Sequence, residues 1–210
     1  MALEISWSVW WSLIKIAADR AIKKGLVFLP PEFLWDTFCS RFPYQETDDQ
    51  ANAILDVLSD LSSGRPMDRL ICGDVGFGKT EVALRAAFVV ASSSKQVAII
   101  TPTTLLSRQH NNNFKERFRG LPFEIQQLSR FVSKGKALLV KEGLKQGTTD
   151  IVIGTHALLS EKITNLRGPI ATVITGRNVD MSMYTSIING RDIELGNCII
   201  RGQKYQRYNK

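Results

Sequence analysis

Cysteine is scarce in this 210-residue chain: Cys39, Cys72 and Cys198 stand far apart, odd in number and without a C-x-x-C pair. That spacing excludes a disulfide framework and a cysteine zinc or redox motif, and it suits a reduced, cytoplasmic chain. Histidine is scarcer still. His110 and His156 have no acidic or cysteine neighbours at ligand spacing, so a metal site and Ser-His-Asp chemistry both lack parts. Long apolar runs are missing too. The nearest is ISWSVWWSLIKIAADRAIKKG, which Lys15, Asp19 and Arg20 interrupt well short of the roughly 20 apolar residues a membrane span needs. No basic leader precedes it, which argues against a signal peptide. Its Trp7, Trp10, Trp11, Ile14, Ala18 and Ile22 recur at three- and four-residue steps and predict a helix, with a face for packing or for a membrane surface.

Acidic residues are outnumbered, 20 against 27 basic, for a net charge of +7 that leans toward a polyanionic partner such as nucleic acid. Residues 171–210 account for part of the excess, with six basic against three acidic, so a solvated tail explains some of it. Hydrophobic content of 44% and charged content of 22% are those of a folded chain, and the length suits one sizeable core with an appendage.

Residues 1–41 read as a helical leader and linker, closed by Gly25 and broken by Pro30 and Pro31. From Thr47 a helix is predicted: Thr47 is an N-cap, Gln50 stands in the capping-box position, and Ile54, Val57, Leu58 and Leu61 form the apolar stripe. Apolar runs then alternate with helical patterns. RLIC (69–72), QVAIIT (96–101), FEIQQL (123–128) and DIVIGT (150–155) read as strands, with helices from about Lys79 to Ala91, Thr103 to Phe118 and Lys136 to Leu144 between them. Near-continuous apolar strands separated by helices predict a parallel sheet covered on both faces, the doubly wound α/β class. After about Gly168 the pattern changes. ATVIT reads as one more strand, and Asn189-Gly190 and Gly196-Asn197 are turn signals that suggest a small hairpin.

Gly73-Asp74-Val75-Gly76-Phe77-Gly78-Lys79-Thr80 satisfies G-x-x-x-x-G-K-[ST], directly after an apolar run and before a helix. Glycines let the backbone wrap close to phosphate, and the helix N-terminus adds its positive end. Lys79 is a compact charge for the β- and γ-phosphates, and Thr80 offers a hydroxyl to magnesium, so the pattern predicts ATP and Mg²⁺ as cofactors. Cys72, at the end of the first strand, is expected to be buried as a small apolar side chain.

FPYQETDDQANAI, GRPMDRLICGDVGFGKTEVALRAA, TPTTLLSRQH, LSRF and DIVIGTHALLSEKI together resemble the first helicase lobe of the bacterial transcription-repair coupling factors, superfamily 2 DNA translocases. The resemblance covers about residues 12–168. It implies a RecA-like P-loop NTPase lobe over 42–168, incomplete at its C-terminal end, followed by an unmatched tail over 169–210. It also implies a helicase-type hydrolase acting on double-stranded DNA, gripped weakly and without sequence preference. Contacts with RNA polymerase and excision-repair proteins belong to other domains of that family.

By the same resemblance Gln50 occupies the adenine-reading position, with Phe42 and Tyr44 beside the base; its own spacing equally allows a helix-capping role. Thr101-Pro102-Thr103 and Gly154-Thr155-His156 would grip DNA phosphates at strand ends, and Arg130 would add a third backbone contact. Read as residues alone, these are strand-end caps.

The family also carries a D-E-E-Q run shortly after the segment that matches THALL, delivering an acid to the magnesium shell and a second to the attacking water. Here the carboxylates beyond Thr155 are Glu161, Asp180, Asp192 and Glu194, and none directly ends an apolar run. If ATVIT is the expected strand, Thr175, Gly176 and Arg177 hold the acid positions. No catalytic residue is therefore identified. The expectation is a chain that binds ATP without splitting it, with residues 169–210 arising from a truncated gene or from divergence; an interaction remnant is the alternative.

Overall fold

The computed structural model describes residues 18, 22–74, 76–155, 158, 171–174, 193–195 and 198–200. The chain forms two compact units, Lys23–Gly176 and a second made of Met1–Ile22 with Arg177–Lys210. The tryptophan leader falls almost wholly outside the described residues.

In the larger unit the helices are α1 (Trp35–Ser40), α2 (Asp48–Ser62), α3 (Lys79–Ser92), α4 (Thr104–Arg117) and α5 (Lys134–Gln146). The strands are β1 (Val97–Ile100), β2 (Ile125–Leu128), β3 (Ile151–Gly154) and β4 (Ala171–Ile174). They form one sheet in the order β2-β3-β1-β4, and every pairing is parallel. β1 and β3 are buried along their whole length, as strands covered on both faces must be. Successive side chains alternate between the faces. Val97, Ile99, Ile151, Ile153 and Ile125 enter one core with α2, α3 and Phe114 of α4, while Ala98, Ile100, Val152 and Leu128 pack with Val140 and Leu144 of α5. The expected parallel sheet with helices on both faces is what forms.

α3 is buried on nearly all sides, from Glu81 and Val82 through Leu84 to Ala91. Such a helix is apolar around most of its circumference because it is the middle layer of the core. α1 joins that core from the chain's proline-marked segment: Phe38 is fully buried, its ring stacked on Phe88 at 4.1 Å and edge-on to Phe118 at 5.0 Å. Aromatic pairs at these separations add to the stabilisation from area burial. At the end of β3, a Cβ on Gly154 would collide with the Leu128 carbonyl and crowd Leu158, so only glycine lets β2 and β3 close there.

One expected strand is absent. Residues 69–72 carry no strand pairing, and Leu70 is 86% exposed. A strand exists only as a hydrogen-bonded ladder, and in this segment the strongest anchors run sideways: Arg69 binds Asp60 at 2.5 Å and Asp56 at 2.9 Å on α2. Cys72 is consequently exposed, contrary to the burial expected of it. The fourth strand is ATVI instead. In the smaller unit, β5 (Ile193–Leu195) and β6 (Cys198–Ile200) pair antiparallel, the hairpin that the Gly196-Asn197 signal suggested.

Candidate nucleotide and nucleic-acid site

Residues 73–80 turn from an irregular segment into α3. Gly76 at φ +89° and Gly78 at φ +70° both take left-handed backbone, which side chains with a Cβ rarely adopt. Gly78 is the N-cap of α3, and its carbonyl accepts from the Glu81 N–H at 2.8 Å. The Phe77 N–H donates to the Asp74 carbonyl at 3.3 Å, closing the turn. Lys79 folds back over it, with Nζ donating to the carbonyls of Gly73 at 2.5 Å and Asp74 at 2.6 Å. Its cationic end therefore sits at the mouth of the glycine turn, beside a helix N-terminus. Thr80 is half-buried at the second helical position. These parts fit a nucleoside triphosphate: left-handed glycines, the start of a helix, a lysine and a hydroxyl. Val75 lies outside the described residues.

Gln50 joins this turn from α2. Its Oε1 accepts from the Thr47 N–H at 2.9 Å while the Gln50 N–H donates to Thr47 Oγ1 at 3.3 Å, a complete capping box. Its Nε2 donates to the Phe77 carbonyl at 2.7 Å. The side chain thus performs the capping role and also touches the glycine turn, with both its amide oxygen and its amide nitrogen bonded within the chain. Phe42 and Tyr44 precede it, ring to ring at 5.5 Å in an edge-on pair, with Tyr44 exposed.

Behind the turn lies an ionic network that sequence reasoning missed. Glu81, 3% exposed, accepts from Arg85 Nε at 3.0 Å and from Arg117 at 2.6 Å, while Arg85 also binds Glu46. Burial works against the Arg85 charge, but its hydrogen bonds to Glu81 and Glu46 outweigh that and raise its pKa above the ordinary value. The Glu81 to Arg85 spacing of four residues on one helix was a visible signal. The approach of Arg117, 36 residues further on, was not.

At the sheet's C-terminal edge the register sets Leu128, Gly154, Ile100 and Ile174 side by side. The residues that follow share that edge: Ser129 and Arg130, Thr155, and Thr101 to Thr103. Thr101 is buried, and its hydroxyl is within 3.0 Å of the Thr103 carbonyl and 3.1 Å of the Gly154 carbonyl, a clasp between two strand ends. Thr103 Oγ1 accepts from the Leu106 N–H at 3.2 Å and caps α4. Thr155 is buried and its carbonyl accepts from the Leu158 N–H at 2.9 Å. Pro102 and Arg130 are exposed, the Arg130 guanidinium lying 5.3 Å from the Phe131 ring centroid. His156 lies outside the described residues. His110, half-buried on α4, has its pKa lowered by burial, and its Nδ1 has no partner.

No group of three or more His, Cys, Asp or Glu side chains placed to hold a metal occurs among the described residues.

A glycine-turn cradle at the start of a buried helix, on a parallel sheet covered on both faces, defines a RecA-like P-loop lobe. The DEAD/DEAH box helicase pattern matches residues 47–175, and the chain belongs to that family. It is homologous to the transcription-repair-coupling factors, at 52% identity to that of Bacillus subtilis and 48% to that of Escherichia coli, each over 72% of this chain. It spans 13% of the length of either relative. Among solved structures, RecG bound to a three-way DNA junction superposes with a TM-score of 0.67 at 28% identity, over 76% of this chain and 25% of that one.

Proposed function

We propose that this chain is the ATP-binding and DNA-backbone-binding portion of a first motor lobe of transcription-repair coupling factor type, and that it holds Mg-ATP without hydrolysing it. The observation that carries the reading is a contrast between two segments. The glycine turn gathers Gly76, Gly78, Lys79 and Thr80 at the start of α3, an arrangement that supports triphosphate binding. At the other segment, β4 pairs with β1 so that Ile174 lies beside Ile100, and the sequence continues as Thr175, Gly176 and Arg177. An acid pair is needed at that strand end to hold magnesium and orient water, and the loss of a general base alone costs about 10²- to 10⁴-fold in rate.

DNA would be held through its phosphates by the exposed edge bearing Pro102, Thr103 and Arg130, without base readout. Of the residues expected there, Thr101 would act through the clasp it makes with Gly154. Displacing stalled RNA polymerase and recruiting excision repair are activities of the coupling-factor family that this lobe would serve only as part of a whole motor.

The test is a titration of fluorescent ATP with magnesium and with EDTA, beside Lys79→Ala. Saturable binding that weakens in EDTA and disappears in Lys79→Ala is expected, with no phosphate release above background on adding duplex DNA. Release on the order of one per second would overturn the non-hydrolysing part. Binding that survives Lys79→Ala would overturn the whole.

A further inference from the structure

Arg117 ends α4, far in sequence from both Glu81 in the first turn of α3 and the aromatic segment before Gln50, yet it touches both. Its guanidinium donates to the Phe38 carbonyl at 3.0 Å and to Glu81 at 2.6 Å. The same plane lies 4.7 Å from the Phe38 ring centroid and 5.8 Å from that of Phe42. The contact is reciprocated from the aromatic side, because Arg41 donates to the carbonyls of Arg117 at 3.1 Å and Arg119 at 2.8 Å. Phe42 in turn meets Tyr44 edge-on at 5.5 Å, and Gln50 ties the following helix to the Phe77 carbonyl. Arg117 Nε remains buried without a partner. An aliphatic side chain of that length would fill the space without an orphaned donor. The planar, forked group does what an aliphatic chain cannot, stacking on a ring while bridging a carbonyl and a carboxylate.

We propose that Arg117 is a positioning residue for the base side of the nucleotide site, holding the Phe42–Tyr44 pair in place so that it governs affinity for adenine and not for phosphate. The inference rests on the nucleotide-binding reading above. Lys79 and the glycine turn make their contacts elsewhere, and Glu81 keeps Arg85 when Arg117 changes. Lysine at 117 keeps a charge near Glu81 and loses the stacking plane.

The experiment displaces a fluorescent ATP analogue with ATP and, separately, with inorganic tripolyphosphate, both with magnesium, from the full chain and from Arg117→Lys, Phe42→Leu and the double variant. Thermal unfolding followed by circular dichroism checks that each is folded. In the parent chain ATP should compete more tightly than tripolyphosphate. Arg117→Lys should weaken ATP about tenfold and leave tripolyphosphate within about twofold. Phe42→Leu should do the same, and the double variant should be no weaker than the worse single one, as expected when two residues act as one unit. A parent chain that takes ATP and tripolyphosphate equally, or an Arg117→Lys variant that weakens both alike or neither, overturns the proposal. Should Arg117→Lys not fold, an unchanged ATP-to-tripolyphosphate ratio in Phe42→Leu overturns it as well. A parent chain that takes neither ligand instead removes the nucleotide-binding reading itself.

Discussion

Gln50 Nε2 presses against Gly78, in the place where a Cβ on that residue would have to go, while donating to the Phe77 carbonyl at 2.7 Å. The left-handed φ of +70° at Gly78 and the amide beside it make the same demand for glycine. Gly78→Ala should therefore lose nucleotide binding and lower stability by about 1–2 kcal/mol, the cost of a Cβ in left-handed backbone. Isothermal titration with Mg-ATP and a urea melt measure the two losses, and an alanine variant that binds normally contradicts this geometry.

Gln50→Ala removes half of a capping box and the tie to Phe77 together. A destabilisation of about 1 kcal/mol is expected from the cap. Gln50→Glu keeps an acceptor for the Thr47 N–H but has no donor for the Phe77 carbonyl. It should retain most of the stability while weakening nucleotide binding, and urea melts beside ATP titrations separate the effects.

Glu81 neutralises two arginines inside the core. Glu81→Ala leaves Arg85 with only Glu46 and Arg117 with no carboxylate partner, which should cost about 3–5 kcal/mol. That is a large part of a domain's usual ~5–15 kcal/mol, so soluble yield should fall with the urea midpoint. An unchanged midpoint would show that the network is not structural.

Burial holds the His110 pKa below its ordinary value, and its Nδ1 is orphaned. A histidine depressed in the folded state binds protons more readily when unfolded, so stability is fully present above the ordinary value near 6.5. It declines as pH falls from there through the lower folded-state value. His110→Gln should flatten the dependence of the urea midpoint between about pH 7 and 5. A slope identical to that of the parent would assign acid sensitivity elsewhere.

Arg130 is exposed and supports no buried group, so Arg130→Ala should leave the melting temperature unchanged. If it meets a DNA phosphate, duplex affinity should fall alike for unrelated sequences, and the slope of log affinity against log salt should shrink by about one. Fluorescence anisotropy at several salt concentrations reads both quantities. An effect that depends on base sequence would point to groove readout instead.

Much of this molecule is local and was legible without coordinates. The capping box at Thr47 and Gln50, the glycine turn that opens a helix at Lys79, and the alternation of apolar runs with helices each depend on neighbours within a few residues. The Gly196-Asn197 hairpin belongs with them. The strand at 69–72 was misread because its apolar composition is local, whereas pairing is not, and Arg69 found its partners on α2. The exposure of Cys72 follows from the same cause.

Residue type and short-range order, then, determined where the chain turns and where its helices are capped, because those features close within one or two turns of backbone. Only the tertiary structure decided that Phe38 enters the core, that Thr101 clasps Gly154, and that Arg117 bridges Glu81 to the aromatic segment. Such contacts join residues dozens of positions apart, and nothing in the intervening sequence encodes their distance until packing of the sheet and its helices brings them within reach.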